Sequence, residues 1–361
     1  MAHRAMKVLA VGGAVAGAAV AAVAVAAGPA LRDDARRLRR LARPLGARDP
    51  LAPVPPPLPP GLTVPLPDRG EVFVRDTGQP PPSAGRAGTD SPSEPALTSG
   101  PAAPPVLLLH GWTVSADLTF FAVYDDLAPR HRVVALDHRG HGRGIRAQTP
   151  FSLEDCADDA AALVAELGLG RVVVVGFSMG GPIAMLLHHR HPDLVAGMVF
   201  CATALDWHAS ARERIVWRGL SLLEVALRSG TGDGIVARVL REVIDGSAEL
   251  EALEPWVRGE FHRGYPADLA GAGRALSAYD GRLLAPEVDV PCAVVVTTSD
   301  QLVRPEKQYE LADALDAETF TVDGDHFAPF SRGRAFSKAI RTAVDRVLEG
   351  LFASGEAGDT P

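Results

Sequence analysis

From about Thr63 the chain alternates short apolar, β-branched runs with longer stretches of helical periodicity. EVFVRD, PVLLLHG, RVVALD, RVVVVG, GMVFCAT and PCAVVVTT read as strands, and ETFTVDG as a weaker one. Amphipathic stretches such as SLEDCADDAAALVAELG lie between several of them. Strands that are apolar at nearly every position must be covered on both faces. Their alternation with helices therefore predicts an α/β fold built on a mainly parallel sheet. From Thr203 to Pro291 no strand pattern recurs, and ERIVWRGLSLLEVALRSG and DGIVARVLREVIDG carry helical apolar spacing instead.

The front of the chain follows a different pattern. Residues 8–31 carry no charge and are mostly Ala, Gly and Val. The stretch is long enough to cross a hydrocarbon core as a helix. It also fits a signal peptide, with Arg4 and Lys7 ahead of it and small residues for cleavage, or an Ala-rich leader that does neither. Arg32, Arg36, Arg37, Arg39, Arg40 and Arg43 follow, outnumbering Asp33 and Asp34. By the positive-inside rule that flank favours a membrane-associated chain with its folded domain on the cytoplasmic side; secretion is the alternative.

Residues 32–61 read as a basic helix and a proline-rich linker, LAPVPPPLPPGLTVPLP being stiff and extended. The main domain is expected over residues 62–352, with a short tail at 353–361. A Pro/Ser-rich insertion at 79–105 interrupts it and is expected to be disordered. A helical segment at 205–288 is a second insertion.

Composition narrows the function. The chain has 361 residues, 47% of them hydrophobic, so a sizeable core is affordable. Net charge is −8 and there is no basic patch beyond the N-terminal region, which argues against nucleic acid as a partner. Cys156, Cys201 and Cys292 stand apart in apolar segments, with neither a disulfide framework nor a metal-ligand spacing, and read as core. No cofactor or metal is implied.

The chemistry collects at strand ends. Ser178 lies in Gly176-Phe177-Ser178-Met179-Gly180, leaving VVVV and entering GPIAMLLHHRHP. A serine on a sharp strand-to-helix turn is presented outward, and side chains at either glycine would crowd the turn. Its hydroxyl needs a base. His326, in VDGDHFAPF after the last strand, is the candidate. His110 and His138 sit in turns, and His188, His189 and His191 read as a surface helix terminus. An acid is needed to orient the base. Asp300, directly after PCAVVVTTS, is the first candidate; Asp206, in CATALDW, is the second; Asp325 reads as a turn residue. Two amides should bind the developing oxyanion, those of Met179 and of Trp112 in LLLHGWT, where His110 serves the turn.

VLLLHGW, LDHRGHGRG, VGFSMGG, TTSDQLVRP and GDHF, in that order, together resemble the α/β-hydrolase superfamily, in its branch of capped esterase- and lipase-like serine hydrolases. The resemblance covers residues 62–352. It implies Ser178 as nucleophile, His326 as base, Asp300 as acid and the segment 205–288 as a lid over the site. A serine at position 178 separates the chain from branches that use an aspartate nucleophile. Trp207, Trp217, Trp256, Phe261 and Tyr265 in and around the lid are expected mainly to pack it, with one or two lining an acyl pocket. The expected partner is a small acyl substrate, apolar or neutral. A non-catalytic membrane-associated binding protein is the alternative class. Acyl transfer or cofactor-free halogenation on the same three residues is a third.

Overall fold

The computed structural model describes residues 56–79, 103–207 and 248–357. Eight strands form one sheet in the order β1-β2-β4-β3-β5-β6-β7-β8. They are β1 Gly61–Leu66, β2 Gly70–Asp76, β3 Val106–Leu109, β4 Val133–Leu136, β5 Val172–Phe177, β6 Val195–Cys201, β7 Cys292–Thr297 and β8 Glu318–Val322. Strands β3 to β8 run parallel to one another; β2 is antiparallel to both β1 and β4. The described helices are α1 Ala116–Phe120, α2 Tyr124–Leu127, α3 Leu153–Glu166, α4 Gly180–Arg190, α5 Ala248–Phe261, α6 Pro266–Ala278, α7 Pro305–Ala314, α8 Ala328–Ser331 and α9 Gly333–Ala357.

Every strand segment expected from the apolar runs pairs in this sheet. Strand β1 is an addition, lying in the proline-rich stretch read as a linker. Pro65 is tolerated there because β1 pairs only with β2 and keeps one edge open; a central strand would lose a ladder bond.

The continuous apolar runs divide their side chains between two cores. Leu107, Leu109, Val172 and Val174 enter the layer on one face, with Leu153, Leu163 and Ile183 of α3 and α4. Val106, Leu108, Val173 and Val175 enter the other, with Phe120 of α1 and Phe336, Ile340 and Val344 of α9. Each fully buried aliphatic side chain contributes about 1.5–3 kcal/mol, so the central strands are the best-determined part of the molecule. Ser152 starts α3 by accepting a hydrogen bond from the Asp155 amide.

Register aligns the carboxyl ends. Leu109 stands opposite Gly176, Phe177 opposite Cys201, Cys201 opposite Val295, and Thr297 opposite Val322. The loops that follow β3, β5, β7 and β8 therefore converge on one edge, where open α/β sheets place their ligands. Helices α5 and α6 fall between β6 and β7. Trp207 and Trp256 are buried, and Tyr265 is 54% exposed. ERIVWRGLSLLEVALRSG with Trp217, DGIVARVLREVIDG, the stretch 80–102 and the leader lie outside the described residues.

The membrane expectation is corrected. Among the described residues no helix is long and apolar enough to cross a membrane. The uncharged stretch 8–31 and the arginine-rich flank after it, on which the expectation rested, lie outside the described residues.

Candidate active site

Strand β5 ends in a turn that only certain residues permit. Ser178 has φ 51°, a left-handed conformation that costs a non-glycine residue about 1–3 kcal/mol and points its hydroxyl away from the sheet. A Cβ on Gly176 would collide with the Gly180 carbonyl, and one on Gly180 with the Leu109 carbonyl. Glycine at both positions lets α4 start directly behind the serine. The Ser178 amide donates to Cys201 O at 2.9 Å and Thr203 Oγ1 donates to Ser178 O at 2.7 Å, so β6 fixes the turn from the side.

His326, on the loop between β8 and α8, reaches Ser178. Its Nε2 lies 3.0 Å from Ser178 Oγ, and its Nδ1 lies 2.7 Å from Asp300 Oδ2. A carboxylate can only accept, so Nδ1 carries the proton and Nε2 is left to accept from the hydroxyl. The Asp300 carboxylate is fully buried and fully used. Oδ1 accepts from the amides of Leu302 at 2.8 Å and Val303 at 2.9 Å, and Oδ2 also accepts from Thr297 Oγ1 at 2.9 Å. The ring of Phe177 lies 5.2 Å from that of His326.

The structure thus brings Ser178, His326 and Asp300 together and leaves the other acid candidates aside. Asp206 is held elsewhere: Lys307 Nζ donates to its carboxylate at 3.2 Å and to its carbonyl at 3.0 Å, and it bridges to Asp280 where the inserted segment rejoins the core. Asp325 caps its own turn, accepting from the Phe327 amide at 2.9 Å.

Trp112 and Met179 flank the serine. Met179 is buried at the start of α4. A Cβ on Gly111 would stand 3.2 Å from Ser178 Cβ, so the loop carrying Trp112 lies against the serine. The imidazole of His110 is structural. Its Nδ1–H donates to Gly111 O at 2.7 Å, and its Nε2 accepts from the His138 amide at 2.9 Å. Burial lowers its pKa to about 4, so it is neutral in ordinary buffers. His138 and His141 pack beside it at ring distances of 4.3 and 5.5 Å, and burial depresses both.

Several supporting residues escape sequence reading. Asp137, buried at the end of β4, accepts from the amides of Ala116 and Arg143, and burial raises its pKa despite Arg143. Burial acts the same way on Asp117, but Arg75 and Arg143 more than offset it and hold that carboxyl low. Glu260 of α5 joins the same network. Its Oε2 accepts from Ser115 Oγ and from Arg143, each at 3.1 Å. The only sequence signal was the unassigned acid and arginines of LDHRGHGRG.

The histidines at the end of α4 were read as an exposed terminus. His188 is instead buried and meets Asp289 at 3.0 Å, while His189 meets Glu287 and His191 meets Asp158. Among the described residues no cluster of His, Cys, Asp or Glu could hold a metal ion. Cys156 and Cys201 are buried and Cys292 is half-buried; burial raises all three thiols.

A serine on a left-handed strand-to-helix turn, at the carboxyl edge of this sheet, defines the class of an α/β-hydrolase-fold protein. The α/β-hydrolase-fold family model matches residues 104–223. A pimeloyl-(acyl-carrier protein) methyl ester esterase of Chromobacterium violaceum is 31% identical over 247 residues, covering 66% of this chain and 92% of the relative. Among solved structures, the enol-lactonase of Burkholderia xenovorans LB400 is 25% identical at a TM-score of 0.60, covering 76% of this chain and 96% of the other. A thermophilic esterase of Thermogutta terrifontis is 24% identical at 0.60, covering 80% and 99%. The chain belongs to the α/β-hydrolase family, and its relatives support a hydrolase activity.

Proposed function

We propose that the protein is a serine hydrolase that cleaves an ester or related acyl bond of an apolar or neutral small molecule. The observation that carries this is the unbroken line of hydrogen bonds from Ser178 through His326 to Asp300, at 3.0 and 2.7 Å. Ser178 Oγ attacks the acyl carbon as its proton passes to His326 Nε2. The carbonyl oxygen becomes an oxyanion, met by the amides of Trp112 and Met179. The imidazolium, stabilised by Asp300, gives the proton to the departing alkoxide, leaving an acyl-enzyme and a free alcohol. Water, deprotonated by His326, then attacks the acyl carbon, Ser178 recovers its proton, and the acid is released.

An apolar substrate is supported by the surroundings of the site. Val114 on the Trp112 loop, Phe121 just past α1 and Phe330 on α8 pack with Trp256 and Val257 of α5. The esterase relatives support an ester as the bond broken.

Ser178→Ala removes one oxygen and leaves the turn's glycines in place. Loss of the nucleophile in a serine protease costs about 10⁶ in kcat, and hydrolysis of a short-chain p-nitrophenyl ester should fall comparably. A fluorophosphonate probe should label the wild-type protein and not the variant. Equal labelling or equal turnover of the folded variant would remove the assignment.

A further inference from the structure

We infer that the indole of Trp112 and the carboxylate of Glu260 are positioning groups. Together they hold the oxyanion loop in its working shape by fastening it to helices α5 and α6. This rests on the reading of the Trp112 amide as an oxyanion donor, and concerns what keeps that amide in place.

The loop from Gly111 to Ser115 is short and strained. Thr113 has φ 66°, a left-handed conformation that a β-branched residue rarely adopts. Such a conformation persists only where the surroundings over-determine it. On the core side the His110 imidazole holds Gly111 O, and Asp137 holds the Ala116 amide at 2.8 Å. These grip the loop at its two ends and leave residues 112–115 between them.

The middle is held from the inserted segment. Trp112 Nε1 donates to Leu269 O, in the first turn of α6, at 2.7 Å. Ser115 Oγ, which also caps α1 by accepting from the Leu118 amide at 3.2 Å, donates to Glu260 Oε2 at 3.1 Å. Both anchors are themselves fixed. The Tyr265 amide, at the head of α6, donates to Gly140 O at 2.9 Å, and Arg146 donates to Arg263 O at 2.8 Å. Glu260 is buried between Arg143 at 3.1 Å and Arg263 at 2.8 Å. The side chain of Trp112 and its peptide amide share one Cα. A fixed indole therefore limits rotation of the peptide planes on either side of Trp112, and the plane before it carries the donor N–H. A donor misplaced by even 1 Å loses much of its value to a developing oxyanion.

Trp112→Phe deletes the N–H while keeping an aromatic ring, and Glu260→Gln keeps the shape while removing the charge. For each, kcat and KM for a p-nitrophenyl ester should be measured with the Ki of a trifluoromethyl ketone, whose serine-bound hemiketal presents an oxyanion. Removing a whole oxyanion donor costs about 10²–10³ in kcat. A loosened one should cost about 10- to 100-fold, with KM within a few-fold of wild type and Ki rising in step with the fall in kcat. Adding Thr113→Gly to Trp112→Phe should recover part of the loss, because glycine adopts the left-handed conformation without strain.

Failure to fold would be recognised by thermal melting, and Glu260→Gln then carries the test alone. Unchanged kcat in both folded variants, or a loss of kcat with unchanged ketone affinity, overturns the positioning role. If the wild-type enzyme binds the ketone no better than the parent ketone lacking fluorine, the oxyanion reading itself fails, which is a separate result.

Discussion

Asp300→Asn tests the role of the buried carboxylate, and the structure dictates how the new amide must sit. One asparagine oxygen replaces two carboxylate oxygens that together accept from four donors. Facing the NH₂ group toward Leu302 and Val303 would set it against two fixed backbone N–H groups. The oxygen must therefore take the Oδ1 position, and the NH₂ group the Oδ2 position beside His326 and Thr297. The Thr297 hydroxyl can rotate to accept, but His326 Nδ1 can accept only if its proton moves to Nε2. That nitrogen then points its own N–H at Ser178 Oγ, where it accepted before at 3.0 Å. The same change of tautomer in a serine protease costs about 10⁴ in kcat, or about 5.4 kcal/mol of barrier. Steady-state hydrolysis of a p-nitrophenyl ester at pH 7.5 should show that loss in kcat with little change in KM. Asp206→Asn should cost less than about tenfold, since Asp206 faces Lys307 and not His326. The reverse ranking, with Asp206→Asn crippled and Asp300→Asn nearly normal, would refute the tautomer argument together with the acid assignment.

Much of this was legible in the sequence because it is local. Strands buried on both faces leave continuous apolar runs, and a serine between two glycines after such a run has few other uses. Strand β1 was hidden because its prolines mimic a spacer, and only its place at the sheet's edge makes them tolerable. The choice between Asp300 and Asp206 was not local at all. Both follow parallel strands, and the difference lies in Lys307, which neutralises one, and the Leu302 and Val303 amides, which aim the other. The clamp on the Trp112 loop was least legible. Its partners lie 145 and 157 positions along the chain, in helices whose own pattern announces nothing but amphipathicity. His188 was misread for a related reason: a polar residue in a helix's last turn looks exposed until the packed segment around Asp289 is known.

Gly180→Ala should destabilise the fold by more than the about 1–3 kcal/mol typical of overpacking, because its Cβ would meet the backbone carbonyl of Leu109, which has no rotamer to yield. An unchanged urea midpoint would show that the turn has more room than the structure gives it. The last prediction concerns acid. His110, His138 and His141 are almost wholly buried, and burial lowers each below its ordinary value of 6.5, His110 to about 4 and His141 to about 3. Above pH 6.5 these groups are neutral in both folded and unfolded chains and leave stability unaffected. As pH falls below 6.5 the unfolded chain takes up protons that the folded chain refuses, so stability is lost until the folded pKa values are reached. Each histidine contributes a slope of about 1.4 kcal/mol per pH unit once its unfolded form is fully protonated. Carboxylates add their own acid dependence, so the informative quantity is a difference between proteins. In His138→Gln one of the three protons disappears, and its stability should fall less steeply than wild type between pH 5.5 and 4.5 by about 1.4 kcal/mol per unit. Urea titrations followed by tryptophan fluorescence at pH 7, 5.5 and 4.5 measure both slopes. Parallel slopes would mean that His138 already binds its proton in the folded state, and that the loop beside the serine is wetter than its burial indicates.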